Sequence, residues 1–338
     1  MSAPARGGGP GGPGAPPPAP DGPPRSFARL RLAHLGARVR RDPTLLAGLA
    51  LLGMFLGAGV AALLRYGAGR DTPPVDLAVA QPGTIPPGPS EAHPFGMDPI
   101  LGIDVASSLW RATPNDLALV GSILLIAATV GLLVGAYAGL AGGWVDHLAV
   151  GASDLLVGVP PFFLVIVLYL GVVGLAPPGD GLPVFALLFA FVLWPYYARP
   201  VRVVAQRVAV APYVESARAA GAGSDRLLFR HVLPNSLYPV LAQLPIDVFN
   251  VFFVLSVFPF VGCYGGGGAF SVIPITPSLL YPEWGSLLAY GACYGWSPLD
   301  YGAWWGYLFP AAVIVAFGFM VVLLCDGVER LLDVEPRR

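Results

Sequence analysis

The residues best placed to do chemistry are polar groups inside long apolar runs. Asp247 stands near the middle of the run Ser236–Gly262, with Gln243 four residues before it and Asn250 three after. That spacing puts all three on one face of a helix. An ionised side chain at bilayer depth costs about 2.5–3.5 kcal/mol on insertion scales, so such a stripe either lines a water-filled path or holds helices together by hydrogen bonds. Asp154 lies only a few residues into another apolar run, where it can reach the interface and serve structure. Covalent chemistry has no comparable set: His34, His93, His147 and His231 are dispersed, and Cys263, Cys293 and Cys325 lack metal-ligand spacing. All 19 basic residues are arginine, and a Walker-type phosphate loop needs a lysine. The run Gly265 to Gly268, followed by Ala-Phe-Ser, reads as a flexible loop. The expectation is a chain that binds no ATP, cofactor or metal of its own and does no catalysis.

The elements that must position these groups follow from hydropathy. The 338 residues are 55% hydrophobic and 12% charged, with a mean hydropathy of +0.69. A soluble domain carries about 25% charged residues. The missing charge is concentrated in runs long enough for a bilayer, which needs about 20 apolar residues per helix. Net charge is −1, so no basic field argues for nucleic acid. Six spans are expected: Thr44–Leu64, Leu117–Leu140, Leu148–Leu175 with a kink at Pro160-Pro161, Pro183–Ala198, Ser236–Gly262 and Gly306–Cys325. The fold class is an all-α membrane protein with six transmembrane helices. The second span is rich in Gly and Ala, which permits close packing.

The domain plan is a disordered Pro/Gly-rich and Arg-rich tail over 1–43, a first transmembrane helix over 44–64, and an extracytoplasmic segment over 65–116. A transmembrane core over 117–328 and a C-tail over 329–338 follow. The first span exceeds a signal peptide's apolar region and reads as an uncleaved anchor. With both termini in the cytosol, sixteen arginines are cytosolic and only Arg65, Arg70 and Arg111 lie outside, which decides the orientation. The core then carries a cytosolic loop over 199–235 and an extracytoplasmic loop over 263–305. The outer loop holds ten aromatics, including Trp284, Trp296, Trp304 and Trp305. They form either an interfacial belt or a lid or docking surface for a substrate-delivery protein. Cys263 and Cys293 share this loop and either form a disulfide or stay as free thiols.

The cytosolic loop predicts helix, break, helix. Pro212 suits a first helical turn and Glu215 complements the dipole there. Ala217, Ala219 and Ala220 favour helix, and Gly221 and Gly223 can take the left-handed conformation that ends it. Ser224 can cap a second helix, running through Phe229 until Pro234 stops it. A short helix beside a glycine hinge is a knob that another subunit can push. Glu215 can instead pair locally with Arg218, worth roughly 0.2–0.5 kcal/mol.

Here the residues resemble a known family. Glu215-Ser216-Ala217, Gly221 and Leu233-Pro234 fall at the spacing of the signature of permease subunits of ATP-binding-cassette (ABC) importers. Phe229 to Asn235 is similar to the run of the dipeptide/oligopeptide branch. His93-Pro94-Phe95-Gly96 with Asp98, Gly142 to Asp146, Pro282 to Gly285 and Asp326-Gly327 resemble motifs of its shorter, C-type permease, so the likeness covers about 93–335. Ser216 replaces a central Ala, His231 an aliphatic, and Leu255 stands where the family often has Glu. Gly102-Ile103-Asp104 lacks the family's arginine, and Tyr264–Tyr281 looks like an insertion. The departures leave the coupling loop intact.

The resemblance implies a type I ABC importer permease fold with a cytosolic coupling helix, in a prokaryotic plasma membrane, carrying di- or oligopeptides, nickel or oligosaccharides. Glu215, Ser216, Ala217, Arg218, Gly221, Leu233 and Pro234 would couple it to two ATPase subunits that hold ATP and Mg. A homologous second permease would supply half of the path, an extracytoplasmic binding protein the substrate, and Gln243, Asp247 and Asn250 would line the path. The rival reading is an ion-coupled secondary transporter that uses Asp154 and Asp247 as proton sites.

Overall fold

The computed structural model describes residues 39–40, 42–66, 87–98, 102–173, 181–264, 283–295 and 303–332. Pro43–Arg338 form one compact unit, separate from Met1–Asp42. Its elements are α1 Pro43–Tyr66, α2 Val105–Ala141, α3 Gly143–Val157, α4 Pro161–Val173, α5 Gly181–Ala209 and α6 Pro212–Ala219. After them come α7 Ser224–Leu227, a π turn Leu228–Val232, α8 Leu233–Tyr264, α9 Trp284–Gly295 and α10 Trp305–Leu332. Among the described residues five helical stretches are long and apolar enough to cross a membrane, or six if the pair α3–α4, bent by 90°, is one span. That bend falls where Pro160-Pro161 was expected to kink the span, with Pro161 at the first position of α4.

Two spans are longer than hydropathy placed them. The expected outer segment 65–116 loses its last residues, 105–116, to α2. Asp104 starts that helix by accepting the Ser107 N–H at 2.7 Å. Arg111 and Asp116 interrupt the apolar run, yet both are buried within the protein and α2 passes through them, with Pro114 inside it. Likewise α5 continues past Ala198 to Ala209, with Pro195 and Pro200 inside it, so the first part of the expected loop 199–235 is helix. Prolines are tolerated in membrane helices because neighbours satisfy the carbonyls they free.

The α2–α5 pair is the centre of the packing. Gly131, Gly135 and Gly139 form a stripe on α2 that lies directly on the α5 backbone. A Cβ on Gly139 would stand 2.6 Å from the Ala205 Cβ and 2.7 Å from the Arg202 carbonyl oxygen. Without water to drive burial in a bilayer, such close backbone approach supplies the attraction. By alternation of the spans in chain order, Gly142, α6, the start of α1 and the end of α10 fall on one side. There Arg330 donates to Thr44 at 3.1 Å and to Asp326 at 2.8 Å.

The opposite face corrects the reading of the outer aromatics. Trp284 opens α9, too short to cross a bilayer, and is 1% exposed. Its ring packs on Phe55, Phe252 and Phe317 at centroid distances of 5.5–5.6 Å. Its backbone N–H donates to Asp116 at 2.9 Å and its indole N–H to the Leu109 carbonyl. Trp305 is buried too and donates to the Met97 carbonyl at 2.9 Å. These two are core residues, neither belt nor lid, because α9 folds back between α8 and α10; Trp304 is exposed. The tail 1–38, the stretch 265–282, Trp296 and the side chains of Cys263 and Cys293 lie outside the described residues.

Candidate functional site

The small helix α6 is held by one side. Val214 is its buried residue, while Tyr213, Glu215, Ser216, Arg218 and Ala219 are exposed. Pro212 occupies its first position and Glu215 its first turn, as their chemistry predicts. It ends in a Schellman motif: Ala222 N–H donates to the Ala217 carbonyl and Gly221 N–H to the Arg218 carbonyl, both at 3.0 Å. Gly221 has φ +85°, the left-handed conformation this motif requires. Gly223 does not share it (φ −68°), and Ser224 is the first residue of α7 with Gly223 at the cap position, which gives no side-chain bond.

Pro234 does not stop the chain. The backbone passes from α7 through the π turn into α8, with Leu233 N–H donating to the Leu228 carbonyl five residues back. A proline ring clashes with the carbonyl four residues before it and gives that carbonyl no donor. Widening the preceding turn relieves the clash. Asn235 then donates from its side chain to the His231 carbonyl at 2.6 Å. The His231 ring contacts Tyr213 on α6 at a centroid distance of 5.8 Å, tying the knob to the base of α8. Leu227, Leu228 and Val232 bury the inner side of this elbow.

The outer side is charged. Arg218, Arg226 and Arg230 are exposed and, among the described residues, form no ion pair; neither does Glu215, so the local Glu215–Arg218 pair is not made. The charges of this face that are paired lie beside α5. Arg202 grips Asp146 through both Nε and Nη2, and Arg199 Nη2 meets Asp154 Oδ1 at 2.5 Å. Asp154 is thus exposed and paired with Arg199. These pairs fix α3 to α5 beside a cavity of about 250 Å³ lined by Gly135, Ala138, Val150 and Ser153. The less exposed, two-pronged Arg202–Asp146 bond contributes about 1.5–3 kcal/mol, and the exposed Arg199–Asp154 pair about 0–1 kcal/mol. Asp146→Ala should therefore lower the Tm of the purified complex by several degrees, and the swap Asp146→Arg with Arg202→Asp should recover part of it. An unchanged Tm in the single variant would remove the pair from the account.

Within the bilayer the sequence stripe is assembled around one oxygen. Asp247 Oδ1 accepts from Gln243 Nε2 at 3.2 Å and from Asn250 Nδ2 at 3.4 Å. Asp247 is 1% exposed, Gln243 half-buried and Asn250 exposed. A carboxylate accepts only from the amide NH₂ groups, so both amide carbonyls are left for other partners. Behind Asp247 stands the Tyr197 hydroxyl on α5, a neighbour that sequence reasoning missed because its run, Leu193-Trp194-Pro195-Tyr196-Tyr197, reads as ordinary apolar span.

Near the opposite face Glu283 is buried just before α9. Burial, with the neighbouring Asp116 adding to it, pushes its carboxyl well above the usual range. His93 Nδ1 meets Asp104 Oδ1 at 3.2 Å and Phe95 stacks on Phe309, so the motif His93 to Gly96 clips the segment before α2 onto α10. Among the described residues no three His, Cys, Asp or Glu side chains converge as a metal site.

Against known proteins, residues 131–334 match the family model described as the inner membrane component of binding-protein-dependent transport systems. The chain belongs to this family. The match spans residues 199–235 and the α8 stripe, and it makes the chain a permease subunit of an ABC transporter rather than an ion-coupled carrier. Among relatives, the permease is 31% identical over 245 residues to a probable D,D-dipeptide transport system permease of Escherichia coli K12, covering 72% of this chain and 74% of that one. A peptide permease protein of Brucella ovis is 27% identical over 245 residues, covering 72% and 74%. A peptide transport system permease of Brucella suis is 29% identical over 245 residues, covering 71% and 75%. The crystal structure of an amino acid ABC transporter with histidines aligns at 17% identity and a TM-score of 0.42, over 67% of this chain and 92% of that one.

Proposed function

We propose that this permease carries di- or oligopeptides across a prokaryotic plasma membrane, with both termini in the cytosol. It forms half of an alternating-access path with a homologous permease. Two separate ATPase subunits hold ATP and Mg, and an extracytoplasmic protein delivers substrate. The observation that carries this reading is α6: a short helix anchored by Val214, with its other face exposed beside Arg218, Arg226 and Arg230, which form no ion pair among the described residues. Closure of the ATPases on ATP would push α6 through Glu215, Ser216, Ala217 and Arg218. The Gly221 stop and the Leu233-Pro234 elbow pass the push to α8. Along α8, Gln243 and Asn250 face the path and Asp247 holds their amides from behind, leaving carbonyl oxygens for peptide N–H groups. The peptide class is supported by the names of the relatives and by these carbonyls. No observation favours the secondary transporter, since Asp154 is paired with Arg199 and Asp247 is engaged by two amides.

The test is uptake in proteoliposomes holding the full importer, with radiolabelled dialanine in its L,L and D,D forms as probes. ATP inside the ATPase-bearing compartment should drive accumulation. Uptake driven by a proton or sodium gradient without ATP would overturn the reading.

A further inference from the structure

The Tyr197 hydroxyl and the Asp247 Oδ2 are buried polar atoms outside full hydrogen-bond geometry in this conformation, and each belongs to a side chain no more than 1% exposed. They face one another across the α5–α8 contact. A buried hydroxyl close to a buried carboxylate oxygen, short of full hydrogen-bond geometry, is a bond poised to close, because each atom has lost water for a weak contact only. We propose that Tyr197 is a positioning residue of the transport cycle, its hydroxyl closing on Asp247 in one state of the importer and releasing it in the other.

Three features of the fold support this. First, α5 ends at Ala209 and α8 begins at Leu233, so α6 and its elbow are the link between the two helices that bear the pair. Second, the two residues lie at matched depth: Tyr197 is twelve residues before Ala209 and Asp247 fourteen after Leu233, about 18 and 21 Å from the α6 side at 1.5 Å per residue. Third, Tyr197 is held in place. Gly131 of α2 lies against its Cβ and the Trp194 carbonyl, with no room for a side chain between. The moving member is therefore α8, and helix shifts of about 1–2 Å, the usual scale of such transitions, are enough to make or break one hydrogen bond. Because Asp247 also holds Gln243 and Asn250, closing the latch redistributes its acceptor capacity and re-aims the two amides on the path.

This inference rests on the importer reading, and its test separates the two. In the reconstituted importer, Tyr197→Phe removes only the hydroxyl. It should leave assembly and ATP hydrolysis near wild type and lower dialanine uptake about tenfold, so that the ATP used per substrate rises about tenfold. Asp247→Asn should also lower uptake, and the double variant should be no worse than the poorer single, as for two partners in one bond. Uptake by Tyr197→Phe within about twofold of wild type would overturn the latch. So would a parallel fall of uptake and hydrolysis, or losses that multiply in the double variant. A second measurement needs no substrate. In a chain with Cys263, Cys293 and Cys325 changed to Ser, the pair Tyr197→Cys with Asp247→Cys is oxidised in the nucleotide-free and the vanadate-trapped importer. Different disulfide yields in the two states support the latch; equal yields overturn it, even if dialanine proves not to be a substrate.

Discussion

Glu215→Ala should leave an assembled importer that hydrolyses ATP while peptide uptake falls at least about a hundredfold, a loss of the size seen when a step depends on one contact. The expectation comes from the geometry of α6. Glu215 is exposed, makes no ion pair among the described residues, and stands in the first turn of a helix whose inner side is secured by Val214. Removing its carboxylate therefore disturbs nothing inside the permease and removes one contact outside it. Gly221→Pro should uncouple in the same way for a different reason. At φ +85° a proline, fixed near −65°, cannot be accommodated, and the bond from Gly221 N–H to the Arg218 carbonyl disappears with the proton. The stop of α6 is lost, and a push on the helix no longer arrives at the π turn. Gly221→Ala is the graded control: its left-handed conformation costs roughly 1–2 kcal/mol, so uptake should be reduced rather than lost. Uptake and ATP hydrolysis are measured on the same proteoliposomes. Normal transport in both Glu215→Ala and Gly221→Pro would sink the coupling role.

These outcomes rest on features that differ in how far the sequence reveals them. The α6 helix is legible because its causes are local: a proline that sets the first φ, an acid near the helix dipole, a glycine at the stop. The turn at Pro234 is not. Sequence reasoning treats proline as a terminator, and only the packing of Leu228 and Val232 makes a widened turn better than a break. Trp284 was misplaced for a related reason. Tryptophans in an outer loop suggest the interface, and nothing local announces that Phe55, Phe252 and Phe317 from three other helices surround this one. The ends of α2 and α5 were missed because Arg111, Asp116, Arg199 and Arg202 look like the end of an apolar run. Their partners, or the burial around them, come from distant residues. The polar stripe was visible as a stripe, since helical spacing alone puts Gln243 and Asn250 beside Asp247. What lies behind it, Tyr197, was beyond any local pattern.

The second large effect is expected at Gly135, where a side chain should prevent assembly. The stripe Gly131, Gly135, Gly139 repeats every four residues and therefore runs along one face of α2. At Gly135 an added Cβ would fall on the Ala198 carbonyl oxygen and within 3.0 Å of both the Ala198 Cα and a Val201 methyl. The first two are backbone, so no rotamer change can make room and the helices must separate. In a soluble core, overpacking costs about 1–3 kcal/mol. In a bilayer the loss is more consequential, because close contact itself is the attraction between helices and lipid competes for the vacated surface. Separation would also pull α5 away from the surroundings in which Arg202 grips Asp146, and would free Tyr197 from Gly131. Gly135→Ile should consequently abolish recovery of the complex on size-exclusion chromatography, and with it uptake. Gly121→Ile is the matched control: same helix, same change, but open space on every side of its Cβ, so the complex should form as in wild type. Equal recovery of the two variants would mean that the glycine stripe is incidental to how these helices meet.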